Sequence, residues 1–543
     1  AIIERGGIRT NLEDNISINI APRWEIIPKL IVRGQYSYRI SSSAQRDERE
    51  AYNFFDYNSG AFLQTWGASY GASKDRSSYY YLGGTAEYTF EKRKHRLFTI
   101  AGYNQELTNS GDWDRWSMVS LFAKANYTFD SRYLLEATVR RDRFGKGNKF
   151  GVFPSVGAGW NLHEEAFMKP LKDQISEFKV RASYGLLGNE NIGLYKYQSL
   201  IDAGNGNETV FGNPDITWET VHMLNIGADI TFDYYDKLTT DMIITPPTSY
   251  IGGTSSAPLN SGEVRNRGWE LDFTYGKQLT KDFGFSIHGG LSQNKNKIEE
   301  LFGAPYDHGN RIHQVGYALN SHYVYPTDGL LQENDFVKDA SGNLKPKDGV
   351  VIFDGQKPGD IHYLDQNGDG RITTDDRVIR GDDQPNLNYF ANITLDYKNW
   401  NLEVLFQGVQ GVDAYYSEPY SFGLNVGGDG QTPLAVQKDY WTPTNTTARY
   451  PRMAPNSSYG SNHHTSDFWH FDASYCRVKY IQLGYLFDQM GLKKIGISNI
   501  RIYANVQNPF TFAKEKLVDP ESRGQRGSYP LVKTYSLGLS LNF

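Results

Sequence analysis

The sequence predicts an all-β chain, a transmembrane antiparallel barrel, and three observations carry that prediction. Apolar and polar residues alternate with period two over runs of about 11–16 residues, the pattern of strands with two unlike faces. The connections between these runs are by turns very short and very long. The 543 residues include 38 Tyr, 29 Phe, 10 Trp and 54 Gly, which suits strands, tight turns and the aromatic belts of membrane interfaces.

The alternation is plain in four stretches. Ile500, Ile502, Ala504 and Val506 share one face, opposite Arg501, Tyr503, Asn505 and Gln507. In the last strand Leu531, Tyr535, Leu537, Leu539, Leu541 and Phe543 oppose Ser536, Gly538, Ser540 and Asn542. Leu30, Val32, Tyr36, Tyr38 and Ile40 oppose Arg33, Gln35, Ser37 and Arg39. Leu224, Ile226, Ala228, Ile230 and Phe232 oppose Asn225, Asp229 and Thr231.

Short turns are expected at Pro28 and Lys29, 91–95, Asp130 and Ser131, 233–236, 279–282, and Lys398 and Asn399. Long polar segments lie at 41–76, 190–216, 298–386 and 413–473. Short turns at one end and long loops at the other are the layout of an outer-membrane barrel, with the long loops outside. About 17 strands follow, near 14–27, 30–40, 77–90, 96–108, 115–129, 132–143, 151–163, 174–189, 217–232, 235–248, 262–278, 283–297, 387–397, 400–412, 474–487, 498–511 and 530–543. An odd number cannot close an antiparallel barrel, and open edges are not tolerated in lipid. Further strands are therefore expected on the N-terminal side, in a separate or preceding stretch of polypeptide, with residues 1–13 the remnant of an external loop.

Composition excludes other classes. The net charge of −6 and the lack of a basic run argue against nucleic acid. The single cysteine, Cys476, rules out an internal disulfide framework. No run of 18 apolar residues is present, so no transmembrane helix is expected. A negative mean hydropathy does not make the chain soluble, because barrel strands average out polar. The opening residues from Ala1 lack the basic and apolar regions of a signal peptide, as expected of a mature product, a fragment, or both. A soluble propeller would repeat a motif every 40–50 residues or so, and no such period is found.

Several further motifs follow one another along the chain. They are Tyr133-Leu134-Leu135-Glu136 with Arg140-Arg141-Asp142; Phe153-Pro154-Ser155 with Gly159-Trp160; Phe178-Lys179-Val180-Arg181-Ala182-Ser183-Tyr184-Gly185 with Gly188-Asn189; and Asn213-Pro214-Asp215-Ile216-Thr217-Trp218-Glu219. Next come Asn266-Arg267-Gly268-Trp269-Glu270, Pro358-Gly359-Asp360-Ile361, Ala473-Ser474-Tyr475 with Arg477, Gln507-Asn508-Pro509-Phe510 and Asp519-Pro520-Glu521. In this order the motifs resemble the C-terminal half of SusC/RagA-type TonB-dependent transporters, a resemblance that implies a barrel of 22 strands around an N-terminal plug, of which this chain would supply strands 6 to 22. It also implies a SusD-like surface lipoprotein as a lid, and TonB acting through an N-terminal segment outside this chain. The implied location is the outer membrane of a Gram-negative, Bacteroidetes-like bacterium, and the implied role is import of a bulky nutrient, an oligosaccharide or a peptide. The alternatives are a β-rich surface module that binds glycans or adheres without transport, and a secreted glycan-degrading enzyme. No GxSxG, HExxH or P-loop supports the enzyme.

The sharpest local motif is Asp365-Gln366-Asn367-Gly368-Asp369-Gly370, continued to Asp376. It follows the D-x-N-x-D-G pattern of a calcium loop, in which alternating oxygens wrap a hard cation. The expected ligands are Asp365, Asn367, Asp369, the Arg371 carbonyl and Asp376, holding Ca²⁺ (or Mg²⁺) in a structural role. Asp stands at position 12, where the calcium pattern has Glu, and a metal-free polar turn is the plainer alternative. His463, His464 and His470 with Asp467 and Asp472 match no zinc spacing and read as a solvated loop. Expected substrate contacts are Trp66, Tyr70, Trp113, Tyr323, Tyr325, Tyr415, Tyr416 and Trp469, with Trp116, Tyr420 and Phe422 nearby. Aromatic faces stack on sugars and apolar side chains alike; each could equally belong to a girdle or to loop packing.

Overall fold

The computed structural model describes residues 7–55, 59–111, 114–144, 149–171, 178–190, 198–201, 208–210, 212–228, 232–244, 259–301, 305–416, 425–426, 434–455, 460–487, 497–523 and 531–542. They fall into two compact units, one of residues 1–229 and 237–261, the other of 230–236 and 262–543. No described helix is long and apolar enough to cross a membrane.

In the first unit β1 (Ile8–Ile20) and β2 (Arg23–Ile27) both pair with β3 (Leu30–Arg49). β4 (Tyr52–Phe55) and β5 (Phe62–Trp66) form a separate hairpin. β6 (Ser69–Lys92), β7 (His95–Ser110), β8 (Asp114–Phe129), β9 (Tyr133–Phe144), β10 (Phe150–Asn161) and β11 (Lys179–Asn189) follow. Each pairs antiparallel with the next, β3 with β6 onward, and β11 pairs with the strand Glu219–Ala228. The short turns reverse the chain tightly: Arg93, Asp130 and Ser131 all take positive φ, near 54°, 53° and 57°, as hairpins with right-handed strand twist demand.

The two faces differ as the alternation requires. Leu121, Leu135, Val139, Val152 and Val156, on one face of β8–β10, are 45–58% exposed. The other face carries ion pairs, Lys124 to Glu136 at 2.8 Å and Arg140 to Asp142 at 2.7 Å. An apolar face left open beside a paired polar one is the signature of a wall between lipid and lumen. At the short-turn end of the apolar face the rings of His95, Phe129, Tyr133 and Trp160 succeed one another at 5.0, 6.3 and 6.2 Å, an interfacial girdle.

The second unit repeats the scheme with Gly262–Gln278, Phe283–Leu301, Leu387–Tyr397, Trp400–Gln410, Tyr475–Phe487, Asn499–Ala513 and Thr534–Asn542, paired in that order. The predicted apolar face of the last strand is open, with Leu537 81% and Leu539 62% exposed.

Eighteen strands are assigned to the main antiparallel sheet. β1 and β2 are one crossing, interrupted at Ala21 and Pro22, so the expected seventeen stand. The expected boundaries need correction at the external end. β1 starts at Ile8, not at 14, and pairs Ile8 with Glu48; residues 8–13 are ladder, not loop remnant. Polar cross-strand pairs carry the ladder beyond the apolar band: Arg9 with Asp47 at 2.6 Å and Ser41 with Asn15 at 2.6 Å. For the same reason β3 and β6 fill much of 41–76. The strand placed at 235–248 is Phe232–Thr240, and 245–258 lies outside the described residues. Among the described residues β1 has a partner on one side, β3, and Thr534–Asn542 has one, Asn499–Ala513.

Candidate functional site

The long segments 298–386 and 413–473 fold around a core of their own. Ile361, Tyr363, Ile372, Tyr450, Ala454 and Trp469 are buried together, with Tyr325, Phe353 and Tyr416 packed against them. Tyr363 meets Phe353 and Tyr325 edge-on at 5.2 and 5.8 Å. Polar clamps tie the segments to each other. The Asp360 carboxylate, 2% exposed, accepts from Arg452 Nε at 2.6 Å and Asn462 Nδ2 at 2.7 Å. A buried carboxylate is tolerable only with such charge-assisted bonds.

The 365–376 loop hangs from this core, with Gly368 and Gly370 at φ of 74° and 80° where a side chain would be strained. Its acids accept the loop's own backbone N–H groups. Asp365 takes those of Gly368 and Gly370 at 2.7 and 2.8 Å, and Asn367 takes that of Asp369 at 2.9 Å. Asp369 takes that of Arg371 at 2.9 Å. Asp376, fully buried, takes those of Thr373 and Gln366 at 2.6 and 2.8 Å. Burial opposes ionisation of Asp376, but the N–H groups of Thr373, Gln366 and Asn367 outweigh it and hold the carboxyl below its ordinary value. Among the described residues no three His, Cys, Asp or Glu are grouped to hold a metal. Each carboxylate oxygen retains a second lone pair, so the donor chemistry suits a hard cation without requiring one.

Downstream, Arg377 lies over the ring of Tyr323 at 4.4 Å, and reaches the Gly309 carbonyl at 3.0 Å. The aspartate loop is thereby joined to two of the expected aromatic contacts, since Tyr325 lies 6.0 Å from the same guanidinium. Tyr415 sits on a two-stranded ladder opposite His470, and its buried hydroxyl finds no partner among the described residues. Tyr416 donates to Glu515. Trp469 is 3% exposed and its indole N–H donates to the Asn462 carbonyl at 2.7 Å; the structure makes it loop core, because its area is consumed by packing. Trp66 and Tyr70 belong to the first unit, 45% and 67% exposed, beneath Arg49 and Arg46, each at 5.6 Å. Trp116 donates to Glu190 at 3.2 Å. Trp113, Tyr420 and Phe422 lie outside the described residues.

Two groupings escaped the sequence reading. His322, 1% exposed, meets His470 at 3.2 Å between Nδ1 and Nε2, with the Tyr415 ring 4.6 Å away. Burial, the neighbouring His470 and Arg311 push His322 down to about 4. Burial, with Asp472 and Asp382, pushes nearby Asp413 up to about 6. Of the histidines expected in a solvated loop, His463 is exposed, whereas His464 and His470 are half-buried and packed, His464 lying 4.8 Å from Phe353. The second grouping centres on Arg477, wholly buried, which binds both Asp519 oxygens at 2.9 and 2.7 Å and Glu521 at 2.6 Å. No spacing rule links residues so far apart.

The chain is similar to known proteins along most of its length. TonB-dependent receptor P3 of Formosa agariphila is 31% identical over 473 residues, 78% of this chain and 45% of that protein. TonB-dependent receptor SusC of Bacteroides thetaiotaomicron is 28% identical over 476 residues, 79% of this chain and 44% of that protein. The chain therefore spans about half the length of these relatives. A solved structure of the RagAB peptide transporter shares the fold, with a TM-score of 0.74 at 22% identity, over 98% of this chain and 62% of that one. Residues 7–509 match the family described as TonB dependent receptor-like, beta-barrel. The chain belongs to that TonB-dependent receptor family, as outer-membrane barrel and not as an enzyme.

Proposed function

We propose that this chain forms the C-terminal barrel wall and external loops of a TonB-driven importer for a bulky nutrient, an oligosaccharide or a peptide. The family match over residues 7–509 carries the reading, and it favours import over a surface module that binds or adheres without transport. The external segments add support: packed around their own core, they offer a broad, preformed rim rather than loose loops. In this reading a SusD-like lipoprotein covers the mouth, and an N-terminal stretch of the same receptor supplies the plug, the TonB contact and the strands beside β1 and Thr534–Asn542. Both edges are laddered on one side among the described residues, and exposed backbone in lipid costs several kcal/mol per group. Calcium held by Asp365, Asn367, Asp369, the Arg371 carbonyl and Asp376 would stiffen the rim, with no part in chemistry. The test is uptake of labelled oligosaccharides and peptides by cells with the full-length receptor as sole importer. Uptake of one class, lost when TonB is removed, is expected. Binding that never leads to TonB-dependent uptake of either class overturns the reading.

A further inference from the structure

The connection from β10 to β11 departs from the pattern of its end of the barrel. Elsewhere in the first unit the chain reverses there within a few residues, at Arg93 and Lys94 and at 130–132. Residues 162–178 instead leave the wall and return to it, closed by a bond from the His163 N–H to the Phe178 carbonyl at 3.1 Å. Within this excursion Ala166–Leu171 form a short 3₁₀ helix, and 172–177 lie outside the described residues.

Glu165 fixes where the excursion goes. Its Oε1 accepts the Trp160 indole N–H and the Tyr133 hydroxyl, each at 3.0 Å, and its Oε2 accepts from Arg132 at 3.3 Å. Trp160 and Tyr133 stack at 6.2 Å in the aromatic girdle, on the open apolar face of the wall. A carboxylate that meets the polar ends of both rings lies outside the wall, on its lipid side, and not beneath the lumen. The Met168 N–H bonds back to the Glu165 carbonyl at 3.0 Å, so the helix begins beside the girdle.

In a 3₁₀ helix residues i and i+3 eclipse one another. Phe167 and Pro170 therefore share one side, and Ala166 and Lys169 share the next. Phe167 is 63% exposed and Pro170 is exposed, while Met168 is half-buried. A bare phenyl ring and a proline beside a lysine suit the headgroup boundary of a bilayer. Apolar groups sink there toward the acyl chains, and a lysine stem keeps its ammonium among the phosphates. The patch is continuous with the girdle, which already marks that boundary. The short-turn end faces the periplasm, so the lipid at this level is the phospholipid of the inner leaflet.

We propose that Ala166–Leu171 is a foot that seats Phe167 and Pro170 in the inner leaflet of the outer membrane, tethered to the barrel wall by Glu165. It extends the grip of β9 and β10 on that leaflet beyond the wall itself. This holds whatever is transported, provided that the chain sits in the outer membrane.

The experiment uses the full-length receptor in phospholipid nanodiscs, with its native cysteines, Cys476 among them, replaced by serine. F167C or P170C carries a nitroxide, whose accessibility to oxygen and to a water-soluble nickel complex is read by electron paramagnetic resonance. Heat-modifiable gel mobility shows which variants are folded barrels, and either position alone suffices for the depth. Both labels should admit oxygen and exclude nickel, at a depth of about 5–10 Å into the headgroup boundary. Adding F167D should shift the P170C label to water. Nickel access equal to that of S341C, on an exposed external segment, overturns the proposal. Exclusion of both reagents, the mark of a protein partner, overturns it too, as does a folded P170C label indifferent to F167D. L135C reads the wall itself, since Leu135 is on the open face of β9. Nickel access there would overturn the membrane placement, and the foot with it, whereas lipid at Leu135 and water at Phe167 overturns the foot alone.

Discussion

Arg477→Met should free one loop while leaving the barrel wall intact. Arg477 is wholly buried at the external end of the strand Tyr475–Phe487. It donates to Thr511 at 2.8 Å, to both oxygens of Asp519 and to Glu521, which also accepts from Tyr475 at 2.5 Å. Methionine fills most of the volume and removes all the bonds. Breaking a buried ion pair costs about 3–5 kcal/mol, but here the acids are 25% and 31% exposed and can rehydrate. A loss of about 2–3 kcal/mol follows, most of it felt by the 514–523 segment that the acids anchor. Hydrogen exchange should read this as roughly 30- to 150-fold faster exchange there, with the amides of Trp400–Gln410 unchanged. Arg477→Lys keeps the charge but not the fork and should fall between. Unchanged exchange in 514–523, or an equal rise across the wall strands, would refute the view of Arg477 as a local clamp.

Three further outcomes are expected. Asp376→Asn keeps the shape but must turn one donor toward backbone N–H groups. The 365–376 loop should exchange about tenfold faster, and the effect should fade in wild type as falling pH protonates Asp376 below its ordinary range. Calcium titrated into the full-length receptor should slow exchange in 365–376, and Asp369→Ala should abolish that response without lowering the barrel's melting temperature; no response in wild type removes the cation from the reading. Between pH 6.5 and 4 the buried His322 destabilises the folded loops as pH falls, because the unfolded chain takes up the proton first. Asp413, raised to about 6, acts with the opposite sign: its folded form takes up a proton first, so acid favours folding. Wild-type loops should therefore change little from pH 7 to 5, whereas Asp413→Asn should loosen them as pH falls; a variant as indifferent to acid as wild type sinks this offset.

The wall was legible in the sequence because its information is local. Ile500, Ile502, Ala504 and Val506 announce one face, and the ladder with Leu541, Leu539, Leu537 and Tyr535 follows from their neighbours. What misled was polarity at the strand ends. Residues 8–13 and 41–49 look like loop because nothing apolar alternates strongly, yet backbone pairing with side-chain bonds such as Arg9 to Asp47 continues the ladder. The motif at 365–376 was legible as a tight polar loop; that its acids turn onto the loop's own backbone was not, because no spacing rule distinguishes that from an outward ligand set. The aromatic candidates were the least legible. Whether Trp469 faces a ligand or a core depends on Asn462, Tyr450 and Ile361, and no period connects them.

The same contrast separates stability from specificity in this receptor. Every wall strand is held by neighbours along a ladder, so a single side chain contributes little to its existence. The external segments are held by a few buried polar clamps between residues far apart in sequence. Asp360 joins Arg452 and Asn462, 92 and 102 residues away, and Arg477 joins Asp519 and Glu521, 42 and 44 away. The entropy of closing such loops rises only slowly with their length. Insertions between the clamp residues are therefore tolerated, provided the clamps remain. Substituting aromatic residues on the rim can then alter what is recognised while the wall stays folded, whereas substituting a clamp residue should disorder the rim before it weakens the barrel.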